Sequence, residues 1–202
     1  MTSSGLGPVP IILGDWHFEA VKALCAAGYP ESDRHDFKRN LPEPKGLTKL
    51  ACAFANTFGG FIVLGVSETA KRSFEPEGIE PDGEIYGKFH AKIRAEPEIA
   101  VSYPRQIEVP NSKNVLYVLE VFQSTRRPHL SSPEDERYFW KRVGSSCRRM
   151  TLEEVRQQML SLEEKREKLS LILIDLLQKR DHLKNNQMFQ MVTTPATYFY
   201  SI

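Results

Sequence analysis

The stretch from Leu47 to Val66 constrains the fold most. Leu47, Leu50, Ala51, Phe54, Ala55 and Phe58 recur at helical spacing and form one apolar face. Asn56 and Thr57 fall at its end, and Gly59 and Gly60 stop it. FIVLGV (61–66) then follows as an unbroken apolar run rich in β-branched residues. A run of that length and composition suits a central strand covered on both faces. Gly65 interrupts it, which marks a bulge or a close backbone approach.

The flanking sequence supplies further elements. Asp15 is expected to cap a helix over residues 16–27, with Phe18, Val21, Leu24 and Cys25 on one face and Gly28 and Pro30 ending it. Residues 35–38 read as a short strand with Phe37 turned to the core, and LPEPKG (41–46) as a loop. A polar loop (71–83), a helix (85–95), two strands (105–109 and 115–122) around the turn 110–114, and a strand (138–143) complete the series. The order α-β-α-β-α-β-β-β describes one α+β or α/β domain ending near Met150.

Beyond Met150 the pattern changes. Thr151 and Glu154 form a capping box. Leu152, Val155, Met159, Leu162, Leu169, Leu173, Leu176 and Leu183 then step by threes and fours, broken at Arg166 and Arg180. This heptad pattern predicts a coiled coil over residues 151–186, after a domain at 15–150 and an arm at 1–14 and before a tail at 187–202. Its seam either joins two copies into a homodimer through residues 152–183 or packs LSLILIDLL back on the same domain. The net charge of +1 points to no partner, so any nucleic-acid surface must come from local clustering. Cys25, Cys52 and Cys147 have no metal-ligand spacing, and their odd number argues for a reducing compartment, the cytoplasm. The N-terminal stretch lacks the basic start of a secretion signal, and no segment is long enough to span a membrane.

No phosphate-binding loop, zinc spacing, GxSxG or GxGxxG is present. Two clusters remain. Glu31 and Asp36 bracket the short strand in ESDRHDFK, Lys38 lies on the same strand face as Asp36, and Glu68 follows the buried strand. Were the two strands paired, three carboxylates would meet at one sheet end, where Mg²⁺ or Mn²⁺ would neutralise them and activate water against a phosphodiester. The same acids also fit separate surface positions paired with Arg34, Lys38 or Arg39. The second cluster is basic: Arg126, Arg127 and His129, then Lys141, Arg142, Arg148 and Arg149, interleaved with Tyr138, Phe139 and Trp140. Guanidinium groups beside aromatics suit a single strand or an RNA loop, and equally a strand edge protected by charge.

Four segments together resemble the Schlafen AlbA-type domain over residues 16–155: ESDRHDFK, ACAFANTFGGFIVLGVSE, QSTRRPH and RYFWKRVGSSCRRMTLEEV. The resemblance implies an α+β fold with an AlbA-like mixed sheet and flanking helices, here followed by a long C-terminal coiled-coil helix. It also implies that Glu31, Asp36 and Glu68 are the metal-binding, catalytic acids of an endoribonuclease acting on tRNA or rRNA, with Lys38 as the neighbouring base. Asp36 stands where the family motif has Glu, and Ser67-Glu68 where it has Asp-Asp. The expected function is therefore a nucleic-acid-binding, regulatory dimer, with metal-dependent RNA cleavage as the alternative and ATP binding as a third, family-derived reading. The nuclease-type core joins two such lobes in one chain, so a coiled-coil dimer would bring two lobes together in trans.

Overall fold

The computed structural model describes residues 9–27, 31–70, 73–132 and 137–193. The first eight residues of the expected arm, the helix stop at Gly28 and Pro30, and residues 194–202 of the tail lie outside these. So do the side chains of Leu162, Arg166 and Leu183 in the expected seam. The elements in chain order are α1 (Phe18–Ala26), β1 (His35–Lys38), α2 (Pro44–Asn56), β2 (Gly60–Leu64), β3 (Val66–Ala70), β4 (Ser73–Pro76), α3 (Ile85–Lys92), β5 (Ala95–Glu96), β6 (Arg105–Glu108), β7 (Val115–Val121), β8 (Leu130–Ser131), β9 (Trp140–Val143), β10 (Ser146–Arg149) and α4 (Leu152–Thr193). The chain divides into a first unit, Met1–Met159, and a second, Leu160–Ile202.

The first unit is built around β2. Its neighbours are β1, which runs parallel to it, and β7, which runs antiparallel, in the order β1-β2-β7-β6. This is a mixed sheet in an α+β fold. Strand geometry sends successive side chains to opposite faces. Ile62 and Leu64 enter a core with Leu47, Phe54, Phe89, Leu119 and Trp140. Phe61 and Val63 enter a second core with Trp16, Val21, Phe37, Leu116 and Val118. Both faces of FIVL are thus covered, as its composition requires. Burying each such side chain contributes about 1.5–3 kcal/mol.

Several boundaries differ from expectation for local reasons. Asp15 closes a single 3-10 turn, and α1 begins at Phe18 behind His17, which leaves Trp16 buried between them. Pro44 is not loop but the first turn of α2, where its missing N–H has no intrahelical partner to lose. Thr57 leaves helical geometry at φ −112° and ψ −101°, so Phe58 falls off the apolar face and is 52% exposed. The region 71–83 contains β4, paired with β3; Phe74 packs on Phe37 with ring centroids 5.3 Å apart. β10, which pairs with β9, carries a polar pattern without alternation and was not expected as a strand.

Thr151 and Glu154 cap α4 reciprocally: each backbone N–H donates to the other's side chain, at 3.0 and 3.2 Å. Val155 is buried within the first unit, while Leu152 faces water. In the second unit Leu169, Ile172, Leu173, Leu176 and Leu177 of α4 are exposed. Among the described residues no helix is long and apolar enough to cross a membrane.

The glycines after α2 have separate roles. Gly59 adopts φ +70° and lies against the backbone of Val121 and Gln123. Gly60 has no room for a side chain: a Cβ there would sit 2.5 Å from the Phe54 ring and 2.8 Å from the Arg34 carbonyl. Gly60→Ala is therefore expected to cost about 1–3 kcal/mol by overpacking, read as a lowered urea midpoint. Gly87→Ala, inside α3 with nothing within 4 Å, is expected to raise the midpoint slightly.

Candidate nucleic-acid interface

β1 is an edge strand, and ESDRHDFK supplies its own closure. The Phe37 N–H donates to Glu31 Oε1 at 3.1 Å. On the same loop the Ser32 hydroxyl meets His35 Nδ1 at 2.8 Å, and the Ser32 N–H donates to the His35 carbonyl at 3.1 Å. Backbone groups that a further strand would satisfy are met by folded-back side chains.

Arg142 of β9 reaches into this loop and is buried. Its guanidinium donates to the Ser32 carbonyl at 2.9 Å and the His35 carbonyl at 3.3 Å, and it pairs with Asp36 Oδ2 at 2.8 Å. Lys38 closes on the other carboxylate oxygen, Asp36 Oδ1, and lies 3.4 Å from Glu31 Oε1. Burial pushes the Glu31 carboxyl above its ordinary value, with the nearby Asp36 charge adding to the effect. For Lys38, burial alone would lower the ammonium, but Asp36 and Glu31 together raise it.

This donor set does not fit a divalent cation. Two carboxylates already face two cations, so a metal would have to displace Lys38 or Arg142 to reach oxygen. Glu68 does not join them: it is exposed on β3, across from Phe74. Among the described residues no group of three His, Cys, Asp or Glu side chains could hold a metal ion. The expected three-acid site of Glu31, Asp36 and Glu68 is thus reduced to a two-acid, two-base cluster.

The expected basic surface divides by burial. Arg142 and His129 are buried and belong to the framework, which removes both from a surface role. The His129 N–H donates to Asn56 Oδ1 at 2.6 Å, and its Nδ1 meets the Pro97 carbonyl at 2.5 Å. Arg126, Arg148 and Arg149 are exposed, and Arg127 and Lys141 are half-buried. Lys141 and Arg148 lie opposite each other on the β9–β10 ribbon and share Glu154. Arg149 stacks over Tyr138, 3.6 Å from the ring centroid. Arg34 and Phe58, neither of them expected at a site, also meet: the guanidinium carbon lies 5.7 Å from the ring centroid.

A family model described as Schlafen, AlbA_2 matches residues 31–151. The chain belongs to the Schlafen AlbA_2 family. A similar solved structure is the N-terminal domain of a protein described as related to the ATP-dependent DNA helicase RecG, from Nitrosomonas europaea. It is 22% identical, covers 65% of this chain and 91% of its own, and superposes with a TM-score of 0.48. The DIP2311 protein of Corynebacterium diphtheriae is 18% identical, covers 64% of this chain and 25% of its own, and gives a TM-score of 0.40. No curated protein sequence matches the chain.

In this Schlafen AlbA_2 domain the four motif segments meet at the end of α2. The Asn56 amide donates to the carbonyls of His129 and Trp140 at 3.0 and 2.9 Å, and the Asn56 carbonyl accepts from Gln158 of α4 at 2.8 Å. Thr57 Oγ1 accepts the Arg142 N–H at 2.9 Å. AFAN, RRPH and RVGSSCRR are therefore one joint, and Arg142 extends it to ESDRHDFK.

His35 is fully buried in that joint, and its Nε2 has no hydrogen-bond partner. Burial, reinforced by the Arg142 charge, lowers its pKa to about 4. The unfolded chain, with a His pKa of about 6.5, takes up the proton first. The stability from neutral His35 is complete above that value and is lost as pH falls toward about 4, by up to roughly 3 kcal/mol. Glu31 shifts in the opposite sense, so the comparison with a variant isolates His35. Urea midpoints of His35→Asn should fall less steeply than those of the parent across that window.

Proposed function

We propose that this protein binds nucleic acid through the β9–β10 ribbon, without cutting it. The observation that carries the reading is the ribbon's charge excess: Lys141 and Arg148 share the single Glu154 carboxylate, and Arg149 lies over the Tyr138 ring. A ribbon that exposes Arg148 and Arg149 on β10 suits phosphate oxygens, which guanidinium groups hold bidentately. Arg126 and Arg127 add positive charge beyond it. Family membership supports the same class of ligand. The closed ion pairing of Asp36 supports binding rather than metal-dependent scission.

Binding measured by fluorescence anisotropy should weaken steeply with salt, because each neutralised phosphate releases counterion. The double variant Arg148→Ala, Arg149→Ala should flatten the logarithmic salt slope by about 0.7–0.9 per lost contact. Affinity that stays flat between about 50 and about 200 mM salt overturns the reading. Discrete fragments from tRNA incubated with Mn²⁺, lost in Glu31→Gln, would overturn the non-cleaving part of it.

The same reading includes self-association through α4. Leu169, Leu173 and Leu176 are exposed on one seam, with Ile172 and Leu177 beside it. Val155 is buried within the first unit, so it is not part of the seam left for a second copy. Two linked lobes would raise the effective concentration of the second for a shared strand. Sedimentation at micromolar concentration should give a dimer, and Leu173→Glu with Leu176→Glu a monomer. A monomeric parent chain would remove this part.

A further inference from the structure

We infer that the turn after α2 is a stacking platform for an unpaired base, so that the ligand is single-stranded nucleic acid; this rests on the nucleic-acid reading above. Two aromatic rings flank the turn. Phe58 is 52% exposed and Phe122 is 43% exposed, whereas Phe37, Phe54, Phe61 and Phe89 are buried. Their backbones are fixed against each other at Gly59, where an added Cβ would lie 2.7 Å from the Gln123 nitrogen and 3.3 Å from the Phe122 carbonyl carbon. A ring held out on a tight, backbone-locked turn loses little freedom when a base stacks on it.

Polar groups surround these rings. Arg34 donates to the Phe58 carbonyl at 3.4 Å with its guanidinium above the ring. Arg127 and Gln123 both donate to the Thr57 carbonyl, at 3.2 and 2.6 Å. Arg126 is exposed and donates to the Glu98 carbonyl at 3.4 Å. Lys38, Lys141, Arg142 and Arg148 each pair with a carboxylate. Among the described residues Arg34, Arg126 and Arg127 are in no such pair. Their charge is uncompensated beside exposed π faces, the combination that holds a base and its flanking phosphates.

The platform also adjoins the ribbon. Thr57, whose carbonyl anchors Arg127 and Gln123, accepts on its hydroxyl oxygen the N–H of Arg142 in β9 of the ribbon. One strand could therefore stack on Phe58 and continue onto Arg148 and Arg149. A duplex, whose bases are already stacked and paired, could use the ribbon but not the platform.

The test compares a labelled homopyrimidine single strand with a duplex of the same length, using the full chain. Phe58→Ala should weaken single-strand binding about tenfold or more and leave duplex binding unchanged. Phe58→Trp should restore single-strand affinity, and its indole fluorescence should be quenched by the strand. Phe58 is exposed, so the urea midpoint of each variant should match the parent. Single-strand affinity unchanged in Phe58→Ala, or equally restored by Phe58→Leu, overturns the platform while leaving ribbon binding intact. Failure of the parent to bind either oligonucleotide overturns both.

Discussion

The first unit depends on one buried ion pair. Arg142 comes from the ribbon and Asp36 from the edge strand, and they meet at 2.8 Å with both side chains out of water. Removing two charges from water costs several kcal/mol per ion, which attraction offsets only where the remaining donors and acceptors are met. Here they are. Arg142 also serves the Ser32 and His35 carbonyls, and Asp36 also receives Lys38. The pair contributes position more than net stability. It fixes the ribbon to the sheet edge, and through Thr57 it fixes the turn that carries Phe58.

What the sequence made legible was local. The apolar face of α2 and the run FIVL announce themselves by period and composition, and the Thr151–Glu154 box by spacing. β4 alternates over only four residues and ends on a proline, and β10 carries no alternation, so pairing with a neighbour, not propensity, makes them strands. Arg142 shares a strand face with buried Trp140, but a basic residue there reads as surface. Distant partners bury it: Asp36, the Ser32 and His35 carbonyls and the Phe54 ring. His129 is hidden the same way, by Asn56 from another motif. Phe58 misled in the opposite direction: it is in phase with α2, but the helix ends before reaching it.

The acids of ESDRHDFK serve the framework of this fold. Glu31 satisfies a backbone donor of β1, and Asp36 anchors Arg142. Both carboxylates are committed to cations within the fold. Glu68, on the neighbouring hairpin, stands apart from them. The proposed binding surface lies outside them, at the charges the fold leaves uncompensated at the ribbon and at the turn beyond α2.

The closure of β1 has a consequence for how copies of this molecule can meet. Sheets with an open edge invite another sheet, and that route leads to aggregates without a defined end. On the β1 side Glu31 and Arg142 occupy the backbone groups an incoming strand would seek. On the β6 side Arg105, Gln106 and Glu108 are exposed, and the Arg105 side chain is tied to the Trp16 carbonyl at 2.7 Å. Growth by sheet extension is discouraged at both ends. The route left for the proposed self-association is the exposed apolar face of α4, a contact that would close on itself once filled.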